Sequence, residues 1–500
     1  MNIQGSLATA IRRARALTCL AVAGLAGCVV LGPDYHRPQV PLPPAWRADL
    51  PDAADVANTA WWEAFSDADL NALIATALDA NKDLRLATLR IEQFDARLQI
   101  SRAANVPEVK AALTGERERR SQERPNGLRP GASPNLNNFE ISASVSWELD
   151  LWGRVQRSNE AALATLLSTE EARRAVMLSV VSSVAASYVQ LLATDSQLAL
   201  VRKTLKNRQD ALALVTAKYE GGSSTRLAVA QARSVVEAVS ATIPEIERQI
   251  ATLENALSSL LGRNPGPIQR HAIDALRLPP VPQGVPSDVL ARRPDVRAAE
   301  QTLVAANARI GVAKTEYFPV LSLTGALGLA SDDLRYIGAR TAGTGNYGAA
   351  MLGTIFSGGR IEGDIREAEA VQKQMVVSYE LAVQTALREV EDALVYRAKS
   401  GEQGLALGRQ VNALEEAEQL ARMRYDGGQS SFLEVLNADF ELYGAQGQQA
   451  QSQRDTFLAL ISVYKAMGGG WMVEQDALRV PATQAVGAQV RAATEVRAEK

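Results

Sequence analysis

The sequence is poor in the residues that most catalytic and metal sites use. It contains two histidines and two cysteines in 500 residues, and Phe, Trp and Tyr together make up only 5%. His36 and His271 stand apart from any acid or cysteine pattern that suggests a metal ligand set or an activated nucleophile. We therefore expect no catalytic site, no bound metal and no cofactor, and the chain is not expected to be an enzyme.

An excess of charge of one sign is also missing. The net charge is −3, from 53 basic and 56 acidic residues, which gives no reason to expect binding to nucleic acid. The Gly-x-Gly-x-x-Gly spacing of Gly343, Gly345 and Gly348 matches a dinucleotide-binding loop. It leads from a loop into a strand, however, whereas a dinucleotide loop follows a strand and opens a helix. These glycines therefore predict a hairpin turn.

The first residues have the pattern of a secretory signal peptide over 1–27. Three arginines precede an apolar segment at 17–26, and the segment ends in Leu-Ala-Gly-Cys at residues 25–28. This ending resembles a bacterial lipobox, so Cys28 is predicted to be the first mature residue and to carry covalent lipid. Val29 stands where an aspartate would resemble an inner-membrane retention signal, which favours the outer membrane. An ordinary signal peptide with a chance cysteine is the alternative.

Residues 28–60 are predicted to form a lipid-anchored tether, because six prolines between 31 and 51 favour an extended chain. One long helix is then expected to open with Trp61 and Asp69, and a second to run from Asn81 to Ala104. The tail at 471–500 lacks apolar periodicity.

Two stretches of the chain share one pattern at a constant spacing. Trp152-Gly153-Arg154, Tyr219 and Gly262 recur as Gly358-Gly359-Arg360, Tyr425 and Gly468, each 206 residues later. Upstream residues repeat at 212, as Asp83 does in Asp295 and Pro107 in Pro319. This predicts two tandem structural repeats, at 61–262 and 293–470, joined by a proline-rich linker at 263–292.

Each repeat is predicted to contain a helical hairpin. The segment from Val155 to Tyr219 has no proline and carries an apolar side chain at every seventh position from Leu191 to Tyr219. Gly221 and Gly222 end that helix, and a serine or threonine at 223–225 caps the returning one. A helix of roughly 100 Å, at about 1.5 Å per residue, needs lateral partners to bury its apolar seam.

Four strands are expected where the two spacings differ. Residues from Phe139 to Leu149 alternate between apolar and polar side chains without a break, and a partner strand begins at Val109. In the second half Leu321 to Leu329 and Tyr347 to Ile355 form the third and fourth strands. The loops between them are predicted to span Arg117 to Asn137 and Ser331 to Gly345.

Alternating strands of this length are typical of outer-membrane barrels, and a soluble sheet packed on a helix is the alternative. Four strands cannot close a barrel, so the barrel must be shared between chains. Two chains give eight strands and a filled interior, and three give twelve. Small polar inward residues, such as Ser142, Ser144 and Gly328, favour a wet interior and three chains.

Several motifs together resemble the outer-membrane efflux factors, which are TolC-like ducts, and in particular their NodT-type lipoprotein branch. The resemblance covers about residues 28–470. The motifs are Leu-Ala-Gly-Cys at 25–28, Gly-Pro-Asp-Tyr at 32–35, Trp61-Trp62, Trp-Glu-Leu-Asp-Leu-Trp-Gly-Arg at 147–154, and Pro-Ser-Asp-Val-Leu-Ala-Arg-Arg-Pro-Asp at 286–295.

The resemblance implies an α+β membrane protein that works as a homotrimer. Four transmembrane strands per chain would complete a twelve-stranded barrel, and the long coiled-coil helices would form a periplasmic α-barrel. It implies a periplasmic adaptor protein and an inner-membrane pump as partners, outer-membrane lipid around the barrel, and export of small molecules such as drugs or other toxic compounds. An alternative from another class is a lipid-anchored periplasmic coiled-coil scaffold without a pore.

The family's docking and gating positions fall on the hairpin tips. The docking residues that the resemblance implies are Tyr219, Gly222, Ser224, Leu227, Tyr425, Gly428, Ser430 and Leu433. The gate often carries two acids, and the matching positions here are Glu434 and Asn437. A trimer would then place a single ring of three Glu434 carboxylates at the constriction and favour cations there. A solvated tip glutamate is the alternative.

Overall fold

The computed structural model describes residues 29–43, 46, 60–121, 133–279, 281 and 292–469. The predicted signal peptide, Cys28, much of the predicted tether and the tail at 471–500 lie outside the described residues. The α-helices of the described part are α1 (Ala68–Ala80), α2 (Lys82–Ala103), α3 (Arg154–Glu220), α4 (Arg226–Leu260), α5 (Pro294–Thr315), α6 (Arg360–Asp426) and α7 (Phe432–Ala466). The strands are β1 (Glu108–Arg119), β2 (Asn135–Leu149), β3 (Val320–Ser331) and β4 (Gly343–Leu352).

The helix bounds follow the two sequence spacings. α3 and α6 each have 67 residues, α4 and α7 each have 35, and both later helices begin 206 residues after their counterparts. α2 and α5 each have 22 residues and begin 212 residues apart. The same local signals therefore produce helices of the same length in both halves.

The four strands form one antiparallel sheet in the order β1-β2-β3-β4. Among the described residues, β1 and β4 each pair with a single neighbour, so both are edges. β4 begins at Gly343, which agrees with the strand predicted for the Gly-x-Gly-x-x-Gly segment.

Three predicted bounds were wrong. Trp61–Phe65 is a short 3-10 helix separated from α1 by Ser66, whose φ of 58° breaks the helix. β1 and β2 extend into the predicted loop, because Arg117–Arg119 pair with Asn135–Asn137. β4 ends at Leu352 rather than Ile355, since its partner β3 begins at Val320, directly after a proline, and offers no further residue.

The chain divides into two compact units that draw on both halves of the sequence. Unit 1 consists of Met1–Pro38, Ile91–Ser168 and Ala299–Tyr379, and unit 2 of Gln39–Arg90, Thr169–Ala298 and Glu380–Lys500. Unit 1 contains the whole sheet. Unit 2 contains both hairpin tips. A sequence repeat and a compact unit are therefore different divisions of this chain.

Each unit has its own apolar core. In unit 1, Ile91 and Leu98 of α2 pack against Leu166 of α3. In unit 2 the predicted heptad residues Leu191 and Leu198 are buried, and Leu205 packs on the same cluster as Val239 and Ile246 of α4. The heptad pattern thus identified the packed face of α3.

One segment of α3 has a mean hydropathy of 1.8 over 18 residues, apolar enough for a membrane span by composition. Within this helix Val184, Tyr188 and Leu191 are fully buried inside the protein. An apolar segment that is covered by its own chain is a core helix.

Candidate functional site

The two hairpin tips are built in the same way. α3 ends at Glu220 and α6 at Asp426, and the glycine two residues later has a positive φ of 75° at Gly222 and 68° at Gly428. The N–H of the next residue returns to the helix, from Ser223 to the Lys218 carbonyl and from Gln429 to the Arg424 carbonyl, both 2.8 Å. This is the Schellman cap that glycine permits.

The returning helix of the first hairpin has the predicted cap. The Thr225 hydroxyl accepts the N–H of Ala228 at 3.2 Å. Ser431 occupies the same position before α7, but its side chain makes no capping hydrogen bond.

The two tips share one apolar core, which we call the tip core. It consists of Val215, Ala232, Ala421, Phe432 and Val435, which come from α3, α4, α6 and α7. Tyr425 packs its ring on Phe432 with ring centres 5.3 Å apart, whereas Tyr219 is 43% exposed. The two predicted tip tyrosines therefore have similar backbones but different surroundings.

Charged side chains join the two hairpins around the tip core. Lys218 Nζ lies 3.3 Å from Asp426 Oδ1 and 4.2 Å from the centre of the Tyr425 ring. The Arg208 Nε donates to Asp439 Oδ2 at 2.9 Å, and Arg208 is buried. The sequence analysis missed these pairs, because the 206-residue spacing relates the hairpins but does not say that they touch.

The predicted gate residues lie on the first turns of α7. Glu434 Oε1 is 3.3 Å from Arg424 Nη1 in the same chain, and the Asn437 side chain is exposed. The charge of Glu434 is thus partly compensated by a residue that the sequence analysis did not consider.

The predicted docking residues at the tips differ in exposure. Leu227 is 66% and Leu433 47% exposed, while the Ser430 hydroxyl is buried without a hydrogen-bond partner among the described residues. Ser224 is half-buried. Two leucines are therefore available to a partner molecule at the tips.

The sheet of unit 1 is a second candidate surface, because its register separates two chemically different faces. On one face the cross-strand rows join apolar residues, as in Val109–Val145–Gly325–Tyr347. On the opposite face the rows join small or polar residues, as in Lys110–Ser144–Ala326–Asn346. The alternation predicted for β2 therefore holds across all four strands.

The N-terminal segment at 31–37 is extended, as predicted, but it is firmly bound within unit 1. Arg37 donates two hydrogen bonds to Glu300, at 2.6 and 2.5 Å. The buried Arg157 donates to Asp34 at 2.8 Å, and this hydrogen bond holds the pKa of the Asp34 carboxyl below its usual value. The segment directly after Cys28 is therefore fixed to α3 and α5.

The structure also brings together one histidine and two acids of unit 2. His271 Nδ1 lies 2.7 Å from Asp69 Oδ2, and Asp67 lies beside them. Asp67 already accepts the Leu70 N–H and the Tyr188 hydroxyl, at 2.9 and 3.0 Å. The sequence analysis missed this group because about two hundred residues separate its members.

The chain matches the family described as "Outer membrane efflux protein" over residues 73–263 and 285–469. It is 36% identical to the cation efflux system protein CusC of Escherichia coli O157:H7 over 459 residues, which cover 91% of this chain and 98% of CusC. The solvent efflux pump outer membrane protein SrpC of Pseudomonas putida is 34% identical over 473 residues, covering 92% and 99%.

A probable outer membrane lipoprotein of Salmonella typhimurium, SilC, is 33% identical over 454 residues, covering 90% of this chain and 97% of SilC. The structure superposes on a crystal structure of CusC with a TM-score of 0.79 and 34% identity, over 88% of this chain and all of the other. The fold and the sequence therefore point to the same group of transport proteins, which are not enzymes. This chain belongs to the outer membrane efflux protein family and is an outer-membrane channel component that extends into the periplasm.

Proposed function

We propose that this chain is the outer-membrane duct of a tripartite efflux system and exports small molecules. In this role it works with a periplasmic adaptor protein and an inner-membrane pump. The observation that carries the proposal is the open sheet with one apolar and one polar face. Such a sheet suits a wall between lipid and water, which is what a transmembrane barrel requires.

The open edges support a shared barrel. An edge strand in lipid leaves backbone groups without partners, at several kcal/mol each, so β1 of one chain must pair with β4 of another. Three chains give twelve strands and a lumen lined by the polar face. We therefore propose a homotrimer, whose long helices form the periplasmic α-barrel that the family resemblance implies.

The hairpin tips are proposed to dock the partner proteins and to close the duct at rest. The exposed Leu227 and Leu433 offer apolar contacts to a partner. The ion pair between Lys218 and Asp426 holds the two hairpins of one chain together. In a trimer this pair occurs three times around the periplasmic end.

The lipid anchor on Cys28 is proposed to be the only covalent group, with no further cofactor. The binding of Asp34 to Arg157 and of Arg37 to Glu300 places the residues next to Cys28 on the unit that contains the sheet. An acyl chain attached there would enter the membrane beside its own strands.

The cargo is left at the level of small molecules. Relatives of nearly equal identity carry cation efflux in one name and solvent efflux in another. Overall similarity therefore does not choose between charged and apolar cargo.

Single-channel conductance of the purified protein in planar bilayers tests the duct. Wild type should give small currents, and Asp426→Asn should give larger or more frequent ones, because it removes the ion pair between the hairpins. Lys399→Gln is the matched control, since it breaks an exposed pair with Glu402 within one helix. No current from any folded variant would contradict the duct and favour the periplasmic scaffold without a pore. Heat-resistant trimers in outer-membrane fractions would contradict the scaffold.

A further inference from the structure

The outer end of β1 carries alternating charges that the sheet register separates. Glu116, Arg117, Glu118 and Arg119 follow one another, and Arg117 and Arg119 lie opposite Asn137 and Asn135 of β2. Since successive side chains of a strand point to opposite faces, both arginines share the face of Val109 and Leu113. Both glutamates share the polar face. The strand thus has a basic outer rim and an acidic inner rim.

The two arginines lie just beyond the apolar band. On β2 the apolar face extends from Phe139 to Leu149, which is roughly 33 Å at about 3.3 Å per residue. A strand tilt of about 40° reduces this to a height of roughly 25 Å, which is the height of the apolar band of outer-membrane barrels. Arg117 faces Asn137, one step past Phe139 on that face. Its guanidinium therefore lies at the depth of the lipid headgroups.

The connectivity indicates which leaflet this is. The helices α2, α3, α5 and α6 all join the sheet at the end where β1 begins and β2 ends. The end with Arg119 carries only the two connections between paired strands. This part of the argument rests on the proposed function. If the helices lie in the periplasm, the basic rim lies in the outer leaflet.

The arginines are free to bind a ligand. In the described part of the chain, neither Arg117 nor Arg119 has an ion-pair partner, and their cross-strand neighbours are neutral asparagines. The nearby acids are engaged elsewhere, Glu118 with Arg120 and Asp333 with Arg335. A guanidinium group has the planar donor geometry that matches phosphate oxygens.

We propose that Arg117 and Arg119 bind the phosphate groups of a phosphorylated glycolipid in the outer leaflet. The acyl chains of the same lipid pack on the apolar face below, against Leu113, Phe139 and Ile141, which form adjacent rows of that face. Charge on the rim and apolar surface beneath it together match an amphiphile whose phosphates are at the membrane surface. A free phosphate ion would use only the rim.

The test compares binding of bis-phosphorylated lipid A and of enzymatically dephosphorylated lipid A to the purified trimer, by native mass spectrometry. Wild type should prefer the phosphorylated lipid, and Arg117→Gln with Arg119→Gln should weaken its binding by about tenfold or more, because charged hydrogen bonds are lost. Lys110→Gln is the matched control on the polar face of the same strand and should bind like wild type. Inorganic phosphate should not displace the lipid at equal concentration.

Equal binding by wild type and the double variant would overturn this site. Displacement by inorganic phosphate would also overturn it, in favour of a simple anion site. Conductance measured in bilayers without lipid A separates this inference from the duct itself. Normal currents together with equal lipid binding would overturn the lipid site alone, whereas absence of wild-type current would overturn the proposed function and this site with it.

Discussion

Asn81 and Arg293 make the same hydrogen bond at the ends of two different helices. The Asn81 Nδ2 donates to the carbonyl of Leu260, the last residue of α4, and the Arg293 Nη1 donates to the carbonyl of Ala466, the last residue of α7. Both distances are 2.8 Å. The two side chains are 212 residues apart, so the equivalent positions of the two halves perform the same task with different chemical groups.

The difference between the groups predicts a difference in stability. Asn81→Ala removes this bond and the cap that Asn81 provides to the Leu84 N–H, at a cost of about 1–2 kcal/mol. Arg293→Ala should cost about 3 kcal/mol or more, because the buried guanidinium also binds Asp295 and Glu389. Denaturant titration followed by far-UV circular dichroism measures both. Equal losses would show that the ion pairs of Arg293 add nothing.

The Asp295–Arg293 pair also predicts a dependence on pH. Burial raises the pKa of Asp295, but the hydrogen bond and charge of Arg293 outweigh burial and hold the pKa below the usual value. A carboxyl with a depressed folded pKa stabilises the fold above its unfolded pKa of about 3.9 and loses that contribution as the pH falls through its folded value. The stability gap between wild type and Asp295→Asn should therefore narrow below about pH 4. Unfolding midpoints at a series of pH values test this, and a constant gap would contradict it.

Two glycines with positive φ should respond differently to alanine. At Gly222, with a φ of 75°, a Cβ would meet no heavy atom of the described residues within 4 Å, so Gly222→Ala should cost only backbone strain of about 1–2 kcal/mol. At Gly262, with a φ of 68°, the Cβ would lie 2.1 Å from the Ala80 carbonyl oxygen. Gly262→Ala should therefore destabilise the protein distinctly more. Thermal unfolding of the two variants in the same detergent compares them, and equal midpoints would contradict the steric argument.

The pair of Glu434 and Arg424 predicts opposite shifts in ion selectivity. Glu434→Gln leaves Arg424 uncompensated near the proposed gate and should shift reversal potentials towards anions. Arg424→Gln should shift them towards cations. Reversal potentials in a salt gradient across a planar bilayer measure both. If neither variant changes the selectivity, the constriction lies away from this pair.

Much of the fold could be predicted from local patterns. The seven-residue spacing from Leu191 to Leu212 identified the packed face of α3, and the glycines at 221–222 identified the first hairpin tip. The unbroken alternation of β2 identified its two faces. These features succeeded because a helix seam, a helix cap and a strand face depend on residues close in sequence.

The contacts between distant segments could not be predicted in this way. Lys218 meets Asp426, and His271 meets Asp69, only after the chain has folded, and no periodicity relates the partners. The extra residues of β1 and β2 were missed because Arg117 and Arg119 resemble loop residues, although they lie on the outer face of a strand. Charge alone marked them as loop, whereas their register determines their place.

The two unpaired edges of the sheet also affect how the stability of this protein should be expressed. Backbone groups on β1 and β4 are satisfied in a membrane only when chains meet, so folding of the sheet and association become one reaction. For three chains this reaction is third order in protein. The midpoint of unfolding then falls on dilution, and a single free energy per chain has no meaning without a stated concentration. Mass action thereby becomes part of the fold.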